Sequence, residues 1–133
     1  MFFETLKAAL LIPSLAGAKR YCLDLIPSLM VRQCLQVDWP VQLEKSIEVQ
    51  FSVYCDIFGS ASDPITFDQT SPRVFEVSDE SRGEFNDYVQ DIQGICAGIM
   101  RIRDGDLSEV VEIDNELILK WGGARRLKPC SRY

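Results

Sequence analysis

The chain has 133 residues, 20 of them acidic and 14 basic, for a net charge of −6, and it contains no histidine. That charge argues against a general grip on phosphate backbones, so nucleic acid is not expected as the primary partner. The missing imidazole excludes a Ser-His-Asp or Cys-His centre, a histidine general base and a histidine-bound metal.

An apolar stretch from Ala8 to Ala16 ends in Ala16-Gly17-Ala18, which resembles a signal-peptidase site. Glu4 ahead of it and Pro13 inside it do not suit a secretory signal, so a cleaved leader is not expected and the expected location is the cytoplasm or an assembled particle. No run approaches the roughly 18 apolar residues of a membrane span. Phe2, Phe3, Leu6, Ala9 and Leu10 predict a short helix over 2–11, stopped by Pro13. Ser14 then caps a second predicted helix, Leu15 to Leu25, with Leu15, Ala18, Cys22 and Leu25 on one side.

Residues Met30 to Asp38 read as a strand with Val31, Leu35 and Val37 inward, or as a third helix; the β-branched residues and Trp39-Pro40 favour the strand. Ile47 to Ile57 alternate without a break, with Ile47, Val49, Phe51, Val53, Cys55 and Ile57 apolar. Such a period of two predicts one long half-buried strand. At about 3.4 Å per residue it reaches roughly 37 Å, which predicts an overhang beyond its own core. Gly59 to Pro72 reads as a loop with a brief extended piece at Ile65 to Phe67, and Arg73 to Val77 as a short strand.

Ser81 followed by Glu84 makes a capping-box pattern, and Phe85, Tyr88, Val89 and Ile92 form an apolar stripe before Gly94. These predict a helix over about 82–93. Three strands are predicted after it, Ile95 to Arg103, Leu107 to Ile113 and Glu116 to Trp121, with turns at Asp104-Gly105 and Asp114-Asn115.

The expected fold is therefore α+β: an antiparallel sheet of four to six strands, including a C-terminal three-stranded meander, with N-terminal helices and the mid-chain helix packed on it. Residues 1–121 form one domain, with a helical segment at 1–27 and the sheet and helix at 30–121, and 122–133 form a basic tail. The five cysteines, odd in number and widely spaced, read as free thiols.

Motifs for catalysis are sparse. Asp104-Gly105-Asp106 with Glu109 and Glu112 fails as a calcium loop, because the required glycine position falls on Leu107 and the twelfth on Ile113. No Cys-x-x-Cys pair offers a zinc site. A thiol at Cys96 or Cys130 activated by Arg125, Arg126 or Lys128 lacks a base. No metal, no cofactor and no catalytic residue is expected.

What stands out is charge layout. Lys120 to Tyr133 holds five basic residues and no acidic one, whereas Asp79 to Glu116 holds eleven acidic and three basic. The expected function is a non-enzymatic protein-protein interaction subunit, a structural or joining component of a multi-subunit assembly such as a viral or phage particle. Its partners are other protein subunits, as a homo-oligomer or a hetero-assembly. The expected contact joins Arg125, Arg126, Lys128 and Arg132 to Asp79, Glu80, Glu84, Asp104 and Asp106. The alternatives are an acidic inhibitor or immunity protein that blocks a basic effector or nuclease, and a carboxylate- or thiol-dependent enzyme.

Overall fold

The computed structural model describes residues 18–24, 33–41, 43–55, 58–96 and 102–130. Nine strands are present among them: β1 (Ala18–Asp24), β2 (Gln33–Pro40), β3 (Ser46–Cys55), β4 (Phe58–Ala61), β5 (Ile65–Ser71), β6 (Val74–Val77), β7 (Glu109–Ile113), β8 (Glu116–Lys120) and β9 (Ala124–Pro129). One helix, α1 (Arg82–Ile95), follows a 3-10 turn at Asp79–Ser81.

These strands close into an antiparallel barrel. Sequence neighbours pair, except that β4 and β5 both pair with β3, and β9 returns to pair with β1 through Tyr21↔Pro129 and Cys22↔Lys128. β4 and β5 lie end to end along the same edge of β3 and act as one bent strand, so the barrel has eight staves. Between Val49↔Ile65 and Ser52↔Ala61 that strand advances four residues while β3 advances three. The extra residue is a bulge, and Ser62 repairs the ladder there. Its N–H donates to the Phe51 carbonyl at 2.8 Å and its hydroxyl accepts from the Phe51 N–H at 3.0 Å. Pro64, which has no N–H to offer, sits beside the bulge as strand prolines commonly do.

Interior positions follow the period of two. Leu35, Val37 and Trp39 of β2, Ile47, Val49, Phe51, Val53 and Cys55 of β3, and Leu117 and Leu119 of β8 are all buried. The large rings fill the barrel rather than lining a void: Trp39 meets Phe75 edge-on at 5.3 Å, and Phe51 leans on Phe67 at 5.9 Å. Helix α1 connects β6 to β7 and closes the barrel end to which both lead. Phe85, Tyr88 and Ile92 join the core, Tyr88 stacks on Phe51 at 6.4 Å, and a Cys55–Cys96 disulfide ties the helix terminus to β3.

The α+β expectation is corrected: the described residues form a closed antiparallel β-barrel with one helix between β6 and β7, not an open sheet of four to six strands. The segment predicted as a helix over Leu15 to Leu25 contains β1, which pairs with β2 along its whole length. Its alternation of Lys19, Tyr21 and Leu23 against Ala18, Arg20 and Cys22 carries few strong strand formers, so partner strands decide its conformation. The predicted helix at 2–11 and Val31 lie outside the described residues. β3 is not an overhang, because β2, β4 and β5 cover its ten residues between them. The predicted loop at 59–72 holds β4 and β5, and the predicted strand from Ile95 begins as the last residue of α1. Ser81 precedes α1 without capping it; its hydroxyl instead accepts from the Thr66 N–H at 3.0 Å and ties the helix start to β5.

The free-thiol expectation is corrected as well. Cys22–Cys130 and Cys55–Cys96 are disulfides, which leaves Cys34, buried, as the free cysteine. The tail set apart at 122–133 contains β9, entered through Gly122 and Gly123 at φ 64° and 111°, where glycine alone adopts the backbone without strain.

Candidate functional site

The barrel rim opposite α1 carries a polar cluster. The Asp114-Asn115 turn, with φ of 45° and 62°, is the tight left-handed hairpin corner that Asp and Asn tolerate, and it delivers the Asn115 amide to the rim. Lys19 Nζ donates to Asn115 Oδ1 at 2.7 Å, and the Tyr21 hydroxyl reaches the same oxygen at 3.5 Å. Trp39 Nε1 donates to Glu112 Oε2 at 3.1 Å. Burial, and then the Glu112 charge, push the Tyr21 phenol above its ordinary pKa, so it stays a donor. These contacts tie the Asp114-Asn115 hairpin to β1 and β7 to β2 across the rim.

At the helix end, Asp106 is buried and holds two loops together. Its Oδ2 accepts from the Arg103 N–H at 3.0 Å and from the Gly122 N–H at 3.3 Å. The next residue, Leu107, is left-handed at φ 67°, a conformation costly for a leucine and sustained by the bonds around it. Asp106→Ala orphans both amides and is expected to cost about 2–4 kcal/mol in denaturant unfolding; a loss under about 0.5 kcal/mol would show that the loops do not depend on it.

Tyr88 links the helix to the barrel wall through its hydroxyl, which donates to the Ser60 carbonyl at 2.8 Å. Burial pushes its phenol well above the ordinary value near 10. The unfolded tyrosine therefore ionises first as pH rises, so this contribution is fully present below about pH 10 and is lost above it. The urea midpoint of the native protein is expected to fall between pH 9 and pH 11, and Tyr88→Phe to flatten that slope.

The exposed charges divide into two faces on opposite sides of the barrel. The first is an acidic ridge, where Glu84, Asp87 and Asp91 project along one side of α1 beside Asp63 of the bulge and enclose a depression of about 180 Å³. No described cation pairs with these carboxylates. Asp87 is like-charged with Glu84 three residues before it and Asp91 four after it, which costs a helix roughly 0.2–0.5 kcal/mol per pair. Asp91 also stands immediately before the last turn, which holds no basic residue to offset its charge.

The second is a basic wall on the outside of β8, β9 and β1, made by Lys120, Arg126, Lys128 and Arg20. β9 is the eighth stave and β4/β5 the fourth, so the wall stands across the barrel from the ridge. Arg126 contacts Glu116 at 3.2 Å and Arg20 contacts Asp38 at 2.9 Å, while Lys120 and Lys128 have no acidic partner among the described residues. Beside the wall runs an outward apolar stripe, Val74↔Val111↔Ile118, whose last member faces Arg126.

Of the residues expected from sequence, Arg126 and Lys128 fall on the wall, and Glu84 on the ridge with Asp79 and Glu80 exposed at the start of α1. Arg125 is half-buried and donates to the Trp121 carbonyl at 2.8 Å. Asp104 is exposed in the 103–107 turn, Asp106 is removed from any contact surface by its burial, and Arg132 lies outside the described residues. Asp63, Asp87, Asp91, Lys120 and Arg20 also belong to these faces, beyond the residues expected from sequence; the spacing 84, 87, 91 on a predicted helix is the signal for three of the four acidic positions on the ridge. Cys96 and Cys130, weighed as nucleophiles, are both oxidised. Among the described residues no group of three His, Cys, Asp or Glu side chains is placed to hold a metal ion, and no helix is long and apolar enough to cross a membrane. Comparison with protein-family models, with curated proteins and with solved structures finds no match to the chain.

Proposed function

We propose that the protein is a non-enzymatic building block whose copies associate head to tail, the basic wall of one on the acidic ridge of the next. The observation that carries this reading is the placement of uncompensated opposite charges on opposite sides of one rigid barrel. A carboxylate ridge that weakens its own helix is the kind of local cost that proteins accept at functional surfaces. The Val74, Val111 and Ile118 stripe supplies an apolar centre beside the wall, as contact surfaces of stable interfaces have. Such a contact is heterologous, so it builds rings or filaments rather than closing a symmetric dimer. The two disulfides favour an oxidising compartment over the cytoplasm for the folded chain.

Sedimentation velocity across a salt series tests this. Screening shortens from about 30 Å at 0.01 M to about 3 Å at 1 M salt. Oligomers are expected at the low end and monomer at the high end, and Glu84→Gln/Asp87→Asn/Asp91→Asn is expected to be monomeric throughout. A wild-type protein that is monomeric in every condition overturns the proposal.

A second reading, an acidic inhibitor that docks on a basic partner protein, is favoured by one asymmetry: the wall is half neutralised by Glu116 and Asp38, whereas the ridge is bare. It needs the ridge alone. Lys120→Glu/Lys128→Glu would then leave the partner complex intact, and association with the partner would slow steeply with salt.

A further inference from the structure

Among the described residues, the contacts that hold the start of the barrel begin at Lys19. Lys19 Nζ bonds Asn115 at the rim, Arg20 pairs with Asp38, Tyr21 is the first core residue among those described, and Cys22 is bonded to Cys130. Ala18, one residue earlier, is the end of β1, and its partner there is Pro40, which has no N–H to give the ladder. The peptide bond between Ala18 and Lys19 is also the one that the Ala16-Gly17-Ala18 pattern marks, with small residues at the first and third positions before it. A peptidase pattern and the onset of the barrel's contacts thus fall on the same bond.

We infer, resting on an oxidising compartment and not on the head-to-tail contact, that the Ala18–Lys19 bond is a processing site cut by a signal peptidase during export, and that residues 1–18 are the leader of a barrel that starts at Lys19. Cys22–Cys130 joins the first described strand to the last across 108 residues, so it forms only after nearly the whole chain has been delivered to a place where thiols oxidise. Pro13, which counts against one continuous apolar helix, stands between the apolar run that begins at Ala8 and the cleavage pattern. A proline there ends a helix and leaves the segment after it extended, the form in which a peptidase takes its substrate. Lys7 supplies positive charge directly ahead of the run. Glu4 offsets that charge, and the two disulfides outweigh it, because cytosolic reductants would keep those thiols reduced. The cut consumes one water and leaves a carboxylate on Ala18 and an ammonium on Lys19. It precedes folding, since in the finished barrel both residues belong to β1 and are paired with Pro40 and Trp39 of β2.

The test is translation of the full chain in a cell-free extract with and without rough microsomes. Without them the chain is expected to keep residues 1–18. With them the product is expected to read Lys19-Arg20-Tyr21 at its amino terminus and to resist protease added outside the vesicles. Denatured without reductant, it should expose a single alkylatable thiol, Cys34, of its five cysteines. Ala16→Asp/Ala18→Asp is expected to abolish the cut, a result that does not depend on the variant folding. A product inside the vesicles that keeps residues 1–18, a new amino terminus at any other residue, or a chain left open to outside protease overturns the inference, as does undiminished cutting of the Ala16→Asp/Ala18→Asp chain. The amino terminus reports the cleavage and the thiol count reports the disulfides, so the two fail separately.

Discussion

Replacing Cys22 and Cys130 together by serine is expected to lower the unfolding free energy by about 4–5 kcal/mol and the melting temperature by about 10–20 °C. The barrel closes where β1 meets β9, and among the described residues that seam consists of two strand pairs, Tyr21↔Pro129 and Cys22↔Lys128, and a bond from the Cys130 N–H to the Arg20 carbonyl at 2.9 Å. By contrast, β1 and β2 share seven pairs. The disulfide stands at the weak seam and links positions 108 apart in sequence, so it removes a large share of the entropy of the open chain. Both cysteines are half-buried, which keeps serine from creating a core cavity. Denaturant unfolding without reductant measures the effect, and a loss under about 1 kcal/mol would mean that strand pairing alone holds the closure.

Phe51→Ala is expected to cost about 3–5 kcal/mol. Phe51 is fully buried at the middle of β3, leans on Phe67 across the bulge and stacks on Tyr88 of α1. Its removal leaves a cavity between barrel and helix that neither wall can collapse to fill, because Ser62 pins the strand beside it and the Cys55–Cys96 bond pins the helix end. Phe51→Leu keeps most of the volume and is expected to cost less than half as much. A cost under about 1 kcal/mol for alanine in equilibrium unfolding would show that the helix and barrel do not share one core.

The elements legible in the sequence are those whose pattern is decided locally. The alternation from Ile47 to Cys55 places five side chains inside as predicted, the 82–93 helix is present and runs to Ile95, and Asp114-Asn115 makes its turn. The barrel itself is not legible, because closure depends on two strands with faint patterns. β9 offers Leu127 as its only fully buried residue among Arg125, Arg126 and Lys128, so it reads as a charged tail until Leu117↔Leu127 supplies the register. β1 carries its apolar content as Tyr21 and Leu23 with a lysine on the same face, and Lys19 is tolerated there because it reaches Asn115 at the rim. The disulfides are equally nonlocal, since separations of 108 and 41 say nothing until the strands are placed. The charge asymmetry was visible as a count along the chain. Its geometry was not, because folding buries Asp106 and carries the basic strand to the side of the barrel opposite Asp63.

The head-to-tail contact is tested most directly by mixing two variants that each lack one face. Glu84→Gln/Asp87→Asn/Asp91→Asn keeps the wall, and Lys120→Glu/Lys128→Glu keeps the ridge. Each alone at low salt is predicted to sediment as a monomer of about 15.1 kDa, and an equimolar mixture as a species of twice that mass with nothing larger, because each complex ends in two disabled faces. A mixture that remains monomeric, or a single variant that still forms oligomers, contradicts the assembly by opposite charged faces.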